Sequence, residues 1–536
     1  MTKGMITAPQ PEAVEVGADV LRAGGNAVDA AIACALTQTV VDPQMCGIAG
    51  FGNIQLYLPT LGIHTTFDFH GRSPLATKAD MWEHLIEHEA LDGWGFILKG
   101  RVNEFGYGAI TTPRSLATFD EVLRRFGTRS MAELLPPAIA YAEEGFKVRP
   151  HISHFWNMPP TAGRDANITM VNKLPATRKI YCKDDGSVLA VGDVLRNPDM
   201  GKTLLSIAEQ GVEDFYTGDI AQKIVTDMEA HGGLISHADL ATCAPEENAP
   251  LWGTYRGYRI ATNHPPGGGV MLIEMLNILE NFDLAAIGHN SPEYIRIVAE
   301  AMKIATIDKD TKVGDPKFYN VPMEELTSKA YAAQQADKIK RGEKANVERL
   351  NNGGQESKNT TQVTVVDADG NCVTMTHTLG QPSGVVTDGL GFMYNGAMTV
   401  FDPRPGRSGS LAPGKARFTA VSPTIVFDKD KPMLILGAPG ATYITMGNLQ
   451  VMLNVIDFGM SAQEAISAPR IAATSNIIEL TNRILRSTEN DLVAQGYPVF
   501  RHPVSYNFAW VHAIRINNGI LDGGADPATD GMVLEV

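Results

Sequence analysis

The segment "ESKNTTQVTVVDADGNCVTMTHTLG", residues 356–380, constrains this chain more than any other. Two runs rich in Val and Thr flank "DADGN", which predicts a β-hairpin that turns at Asp369 and Gly370. A three-residue loop with Gly370 in the left-handed region sets Asp367 opposite Asn371. Counting back along both strands then places Thr360 opposite Thr378, with the two side chains on one face. A two-residue turn would put Leu379 there instead.

The hairpin follows a polar linker, "NVERLNNGGQESKN" (346–359), which holds Gly353 and Gly354 and has almost no apolar anchor. Exposed segments of this kind are where chains are cut. A break between Asn359 and Thr360 would leave Thr360 with both a hydroxyl and a free α-amine. That amine, with a pKa of about 8, can take the hydroxyl proton near neutral pH, so one residue supplies nucleophile and base. Thr378 would offer a second hydroxyl to fix the Thr360 rotamer. On geometry alone an ordinary cross-strand Thr pair competes with this reading, and "NTT" also matches the N-glycosylation pattern.

Other segments fit around the hairpin. "MLILG" runs into "APGATYI", a Gly-containing turn after a buried strand that can present the backbone N–H groups of Gly440 and Ala441 to an oxyanion. Near the N-terminus two helices, "QPEAVEVGADVLRAG" and "NAVDAAIACALTQTVVD", break at Gly24 and Gly25. The second is dense in Ala, so it is expected to be central and packed on several sides. "FGNIQLYL" and "IHTTFDFH" alternate as strands, the second ending at His70 and Arg72. Residues 114–345 are mainly helical by periodicity. "NHPPGGGV" within them is taken as a plain turn, because it lacks the Lys-Ser/Thr of a phosphate loop. After the linker come "TIVFD", "MLILG", a helix near "SAQEAISAP" and a last strand "WVHAIRI". Helices at both ends of a run of strands point to an α/β fold with strands stacked between helical layers.

Composition narrows the partners. A formal net charge of -15 argues against nucleic acid and anionic membrane, which call for basic stripes, and leaves small-molecule chemistry. Neither an apolar signal core nor an uninterrupted apolar run of membrane-spanning length is found, so a cytoplasmic location is expected, where the sequons at Asn167 and Asn359 stay unmodified. The five cysteines are scattered without CxxC spacing, and the 13 histidines show no HExxH spacing. No metal or other cofactor is expected.

With these elements in place the chain resembles the gamma-glutamyltransferases, N-terminal-nucleophile hydrolases that cleave themselves. The matching segments run in the family's order: "GGNAVDAA", "ENFDL", "GDPKF", "NTTQVTVVDADGN", "SPTIVF", "GAPGA", "SAPRI" and "ADPATDG". The resemblance implies a four-layer αββα sandwich. It implies a processed chain of residues 1–359 and 360–536, the two fragments staying together as one intertwined domain. It also implies Thr360 as nucleophile, Thr378 as its hydroxyl partner, and Gly440 and Ala441 as the oxyanion turn. The second oxyanion position is normally Gly in the family, and Ala there is expected to cost little because the donor is the backbone.

The substrate end departs from the family pattern. Where the family places an Arg in "DFRE", an Asn after the partner Thr, an Asp before a Phe and paired serines before "SPT", this chain offers His70, Gly380, Val400, and Thr419 with Ala420. Arg72 or a protonated His70 is the expected holder of a substrate carboxylate, and Val400 leaves nothing to receive an α-ammonium. The segment between Phe401 and Ser422 is shorter than in relatives with a lid, which implies a more open acyl site. The expected activity is cleavage or transfer of the acyl group of a γ-glutamyl-type or related small carboxylate-bearing amide, with water or an amine as acceptor. An amidohydrolase of oxamate or a glutaryl amide is the alternative. A catalytically silent binding protein on the same fold is the competing class, against which the presence of Thr360 and Thr378 weighs.

Overall fold

In a computed structural model, which describes residues 4–90, 95–160, 163–348 and 360–536, two antiparallel sheets stack face to face. The first has seven strands in the order Met532–Glu535, Met5–Ala8, Thr361–Val366, Cys372–Thr378, Phe51–Leu58, Ile63–Phe69, Glu246–Asn248. The second has six: Ile520–Gly524, His512–Asn517, Lys431–Gly437, Thr424–Asp428, Tyr258–Thr262, Leu251–Tyr255. Helices Pro11–Arg22 and Ala27–Val41 cover the outer face of the first sheet, and helices Gly269–Leu279, Ile444–Ile456 and Ala462–Ser467 cover the second. This is the expected αββα sandwich.

Strand periodicity sorts the side chains between the layers. Val363, Val365, Val373 and Met375 join the core under Ala27–Val41, while Val366 and Cys372 meet Ile425, Phe427, Ile435 and Ile514 between the sheets. All fifteen residues of Ala27–Val41 are buried, in line with its Ala-rich composition. Small side chains let the helix lie close to its neighbours on every side. Asn26 caps it through a capping box with Asp29, which satisfies N–H groups that burial would otherwise leave unpaired.

The hairpin has the predicted register: Thr361 faces His377 and Val366 faces Cys372. Its loop is the three-residue kind, with Asp367 N–H donating to Asn371 O at 3.1 Å and Gly370 at φ +80°. The Asp367 carboxylate also accepts from Ala27 N–H at 2.9 Å, which ties the turn to the N-terminus of the buried helix.

One expectation is extended and one is corrected. The region read as mainly helical contains the hairpin Leu251–Tyr255 and Tyr258–Thr262, which forms one edge of the second sheet. "WVHAIRI" is not the last strand, since Ile520–Gly524 and Met532–Glu535 follow it, and Met532–Glu535 pairs with the N-terminal strand Met5–Ala8. No helix among the described residues is long and apolar enough to cross a membrane. The cysteines are unpaired thiols, as their spacing indicated.

Candidate active site

Thr360 stands just before the first residue of a central strand and lines a cavity of about 880 Å³. Its hydroxyl lies 3.0 Å from that of Thr378, the last residue of the neighbouring strand. Gly380 N–H donates to Thr378 Oγ1 at 2.7 Å, so the partner hydroxyl is itself held in place. Asn359 and the linker residues 349–358 lie outside the described residues.

A polar network behind the strand fixes Thr361 and so the direction of its neighbour. Gln38 Nε2 donates to Thr361 Oγ1 at 3.0 Å and to Gln362 O at 3.1 Å, and Gln10 Nε2 donates to Thr361 Oγ1 at 3.0 Å. His377 meets Gln38 Oε1 at 2.8 Å, and burial pushes its pKa down to about 3, which keeps the ring neutral. Asp42, bound by Gln10 and by His151 at 3.0 Å, closes the network. Gln10 and Gln38 went unnoticed in the sequence reading. Their signal is a glutamine at the head of one helix and another inside a mostly apolar, Ala-rich helix, since a buried amide must find partners.

The turn expected to serve an oxyanion follows Lys431–Gly437. Ala441 and Thr442 line the cavity, and Gly440 precedes them at φ +147°. A Cβ at Gly440 would come within 2.5 Å of Ala509 Cα, so a larger residue cannot occupy that position without moving the backbone. Ala441 has φ +50°, in the left-handed region. The Cβ of Ala441 imposes strain there of about 1 kcal/mol that Gly would avoid.

The residues expected to recognise substrate divide. Gly380, Val400, Thr419 and Ala420 line the cavity together with Thr360 and Thr378, whereas His70 and Arg72 do not. His70 is buried between Asp68, 2.8 Å from Nδ1, and the Thr419 hydroxyl, 2.6 Å from Nε2. Burial opposes ionisation of Asp68, but His70 more than offsets it and holds the carboxyl below its usual range. Arg72 is bound to Asp315 at 3.1 Å, to Glu246 and to Gly414 O. Both expected carboxylate holders are thus engaged by the protein itself. Asp402, two residues past Val400, is likewise engaged, by Arg404 Nη2 at 2.7 Å and Arg407 Nε at 3.8 Å.

The "PPGGG" loop braces this wall. Gly268 N–H donates to Val421 O at 2.8 Å, and Thr419 N–H to Pro266 O at 2.8 Å. A Cβ at Gly268 would meet Ala420 O at 2.6 Å, so the glycine serves close packing.

Comparison with known proteins places this geometry. The sequence model of the family described as Gamma-glutamyltranspeptidase matches residues 13–536. The chain belongs to the gamma-glutamyltranspeptidase family. It is 38% identical over 540 residues to an acylase ACY 1 proenzyme of Pseudomonas sp. (strain V22), covering 100% of this chain and 94% of the relative. It is 34% identical to the glutathione hydrolase proenzyme of Escherichia coli (strain K12), covering 87% and 80%. Among solved structures, the cephalosporin acylase from Bacillus halodurans superposes with a TM-score of 0.89 at 29% identity, covering 99% of this chain and 96% of that one. As a member of the gamma-glutamyltranspeptidase family, the protein is an N-terminal-nucleophile hydrolase or acyltransferase that acts on amide bonds.

Proposed function

We propose that the protein is a self-processing amidohydrolase with Thr360 as nucleophile, selective for an acyl group that carries a carboxylate but no neighbouring ammonium. The observation that carries the chemistry is the Thr360–Thr378 hydroxyl pair, 3.0 Å apart in a cavity that Ala441 also lines.

In processing, Thr360 Oγ attacks the carbonyl carbon of Asn359. The peptide C–N bond breaks as the ester to Oγ forms, and the amine of Thr360 is released. Water then hydrolyses the ester and leaves a carboxylate on Asn359, the end of a fragment 1–359, beside a fragment 360–536. In turnover the free α-amine takes the Thr360 hydroxyl proton as Oγ attacks the substrate carbonyl. The N–H groups of Gly440 and Ala441 stabilise the oxyanion, Thr378 orients Oγ, and the α-ammonium returns the proton to the departing amine. Water, or an amine acceptor, resolves the acyl-enzyme.

The substrate reading is supported by Val400, by the closed Asp68–His70–Thr419 cluster, and by relatives named acylases. An α-ammonium placed where it meets no carboxylate costs about 3 kcal/mol, which is about two powers of ten in selectivity. Release rates of p-nitroaniline from glutaryl- and γ-glutamyl-p-nitroanilide, beside an oxamate amide, test it. Glutaryl or oxamate turnover exceeding γ-glutamyl by about 100-fold is expected. Equal or better turnover of the γ-glutamyl compound would overturn the substrate reading.

A further inference from the structure

The cavity wall contains a cation that neither the processing chemistry nor the expected recognition set uses. Arg417 is 6% exposed and lines the same cavity as Thr360. Its guanidinium lies 5.3 Å from the centre of the Phe51 ring, and Nη1 donates to Phe418 O at 3.0 Å. Nε has no hydrogen-bond partner, and no carboxylate among the described residues pairs with the group. Burial pushes its pKa down to about 9, the mark of a desolvated charge without a counter-charge.

Other cations near the cavity have partners. Arg404 and Arg407 face Asp402, Lys309 faces Asp310, and Lys415 Nζ donates to Ser408 O and Ser410 O at 2.8 Å each. Burying an arginine unpaired is expensive, so its retention at the wall of a reactive cavity points to an anion supplied by the ligand.

Gly380 explains how the cation reaches this place. A Cβ at residue 380 would lie 3.1 Å from Arg417 Nη2 and 3.1 Å from Phe51 Cζ, so the missing side chain makes room for the guanidinium. The N–H of the same glycine binds Thr378 Oγ1, which in turn contacts Thr360 Oγ1. The cation therefore stands one glycine away from the catalytic hydroxyl pair. A planar fork with Nε and Nη2 unspent matches a carboxylate with two parallel hydrogen bonds.

We propose that Arg417 binds the distal carboxylate of the acyl group, so that the substrates are monoamides of short dicarboxylic acids. This rests on the reading that Thr360 opens an amide in this cavity.

The test compares wild type, Arg417→Met and Arg417→Lys on glutaryl-p-nitroanilide and its neutral counterpart of equal length, pentanoyl-p-nitroanilide. Wild type should prefer the glutaryl compound by about 100-fold in kcat/KM, mainly through KM. Arg417→Met should bring the ratio to within a few-fold of unity, and Arg417→Lys should fall between. A ratio unchanged in Arg417→Met, or equal losses on both compounds, would overturn the assignment. If the Met variant does not fold, the Lys variant decides, since a full wild-type ratio there excludes a bidentate fork. Binding of free glutarate, read by thermal shift, needs no turnover: stabilisation of wild type but not of Arg417→Met supports the anchor even if neither anilide is cleaved. Stabilisation of both alike would overturn it.

Discussion

One side of the cavity follows the family pattern and the other does not. On the side proposed to be catalytic, a strand start and its neighbour's end bring Thr360 and Thr378 together on backbone that the sheets and the Gln10–Gln38–His377 network hold, and Ala441 lines the same cavity. On the recognition side the residues come from loops and strand ends. There His70 has closed on Asp68 and Thr419, Val400 offers no charge, and Arg417 enters through the space left at Gly380. The Thr360–Thr378 pair stands at the ends of two paired strands, so the sheet sets its spacing. Acyl selectivity is a difference of contacts, and loops can exchange those without disturbing the sheets.

The largest test of this division is Thr360→Ala. It should leave a single 57.8 kDa chain on denaturing electrophoresis and lower turnover by about 10⁶-fold, while free acyl ligand still binds. A processed pair of fragments from that variant would refute the assignment of the nucleophile. Next comes Gly440→Ala, whose Cβ would press on Ala509 and displace the proposed oxyanion donors. Here kcat should drop about 100- to 1,000-fold with KM little changed. Thr378→Val removes one hydroxyl and keeps the shape. A loss of about 10- to 100-fold is expected, with Thr378→Ser restoring most of it, and full activity in the Val variant would show that the pair is only structural.

Two smaller effects concern stability. His151 is held by Asp42 and Asp530, and although burial opposes its charge, those carboxylates raise its pKa to about 9. Its folded pKa lies above the unfolded value of about 6.5, so its contribution is complete below pH 6.5 and fades as pH rises through about 9. Denaturant unfolding at pH 6 and pH 9.5 should show His151→Gln losing about 2 kcal/mol at the lower pH and much less at the higher. An equal loss at both would exclude the charge as its cause. Last, Ala441→Gly should relieve left-handed strain and stabilise by about 1 kcal/mol with kcat nearly unchanged. A loss of stability would mean that the positive φ is not strained.

Much of this was legible in the sequence where local rules govern. The hairpin register followed from Asp369–Gly370 and one loop type, and the Ala-rich helix announced its own burial. Met5–Ala8 is only four residues long and takes its strand character from the two strands that flank it, so no period marks it. The Leu251–Thr262 hairpin lies among helices and presents a partly exposed edge, which blurred its alternation. Arg417 in "GKARF" reads as a solvated base. Only the close approach of Gly380 and Phe51, distant in sequence, reveals it as buried.

The order of the first sheet has a mechanical consequence. Met5–Ala8 is laced between Thr361–Val366 and Met532–Glu535, and Cys372–Thr378 pairs in turn with Phe51–Leu58. A cut before Thr360 would therefore divide the chain without dividing the body. The two pieces alternate like the fingers of clasped hands, and neither could leave without stripping hydrogen bonds from a central strand on both of its edges. Such a pair should dissociate only by unfolding, so dilution alone should never separate them.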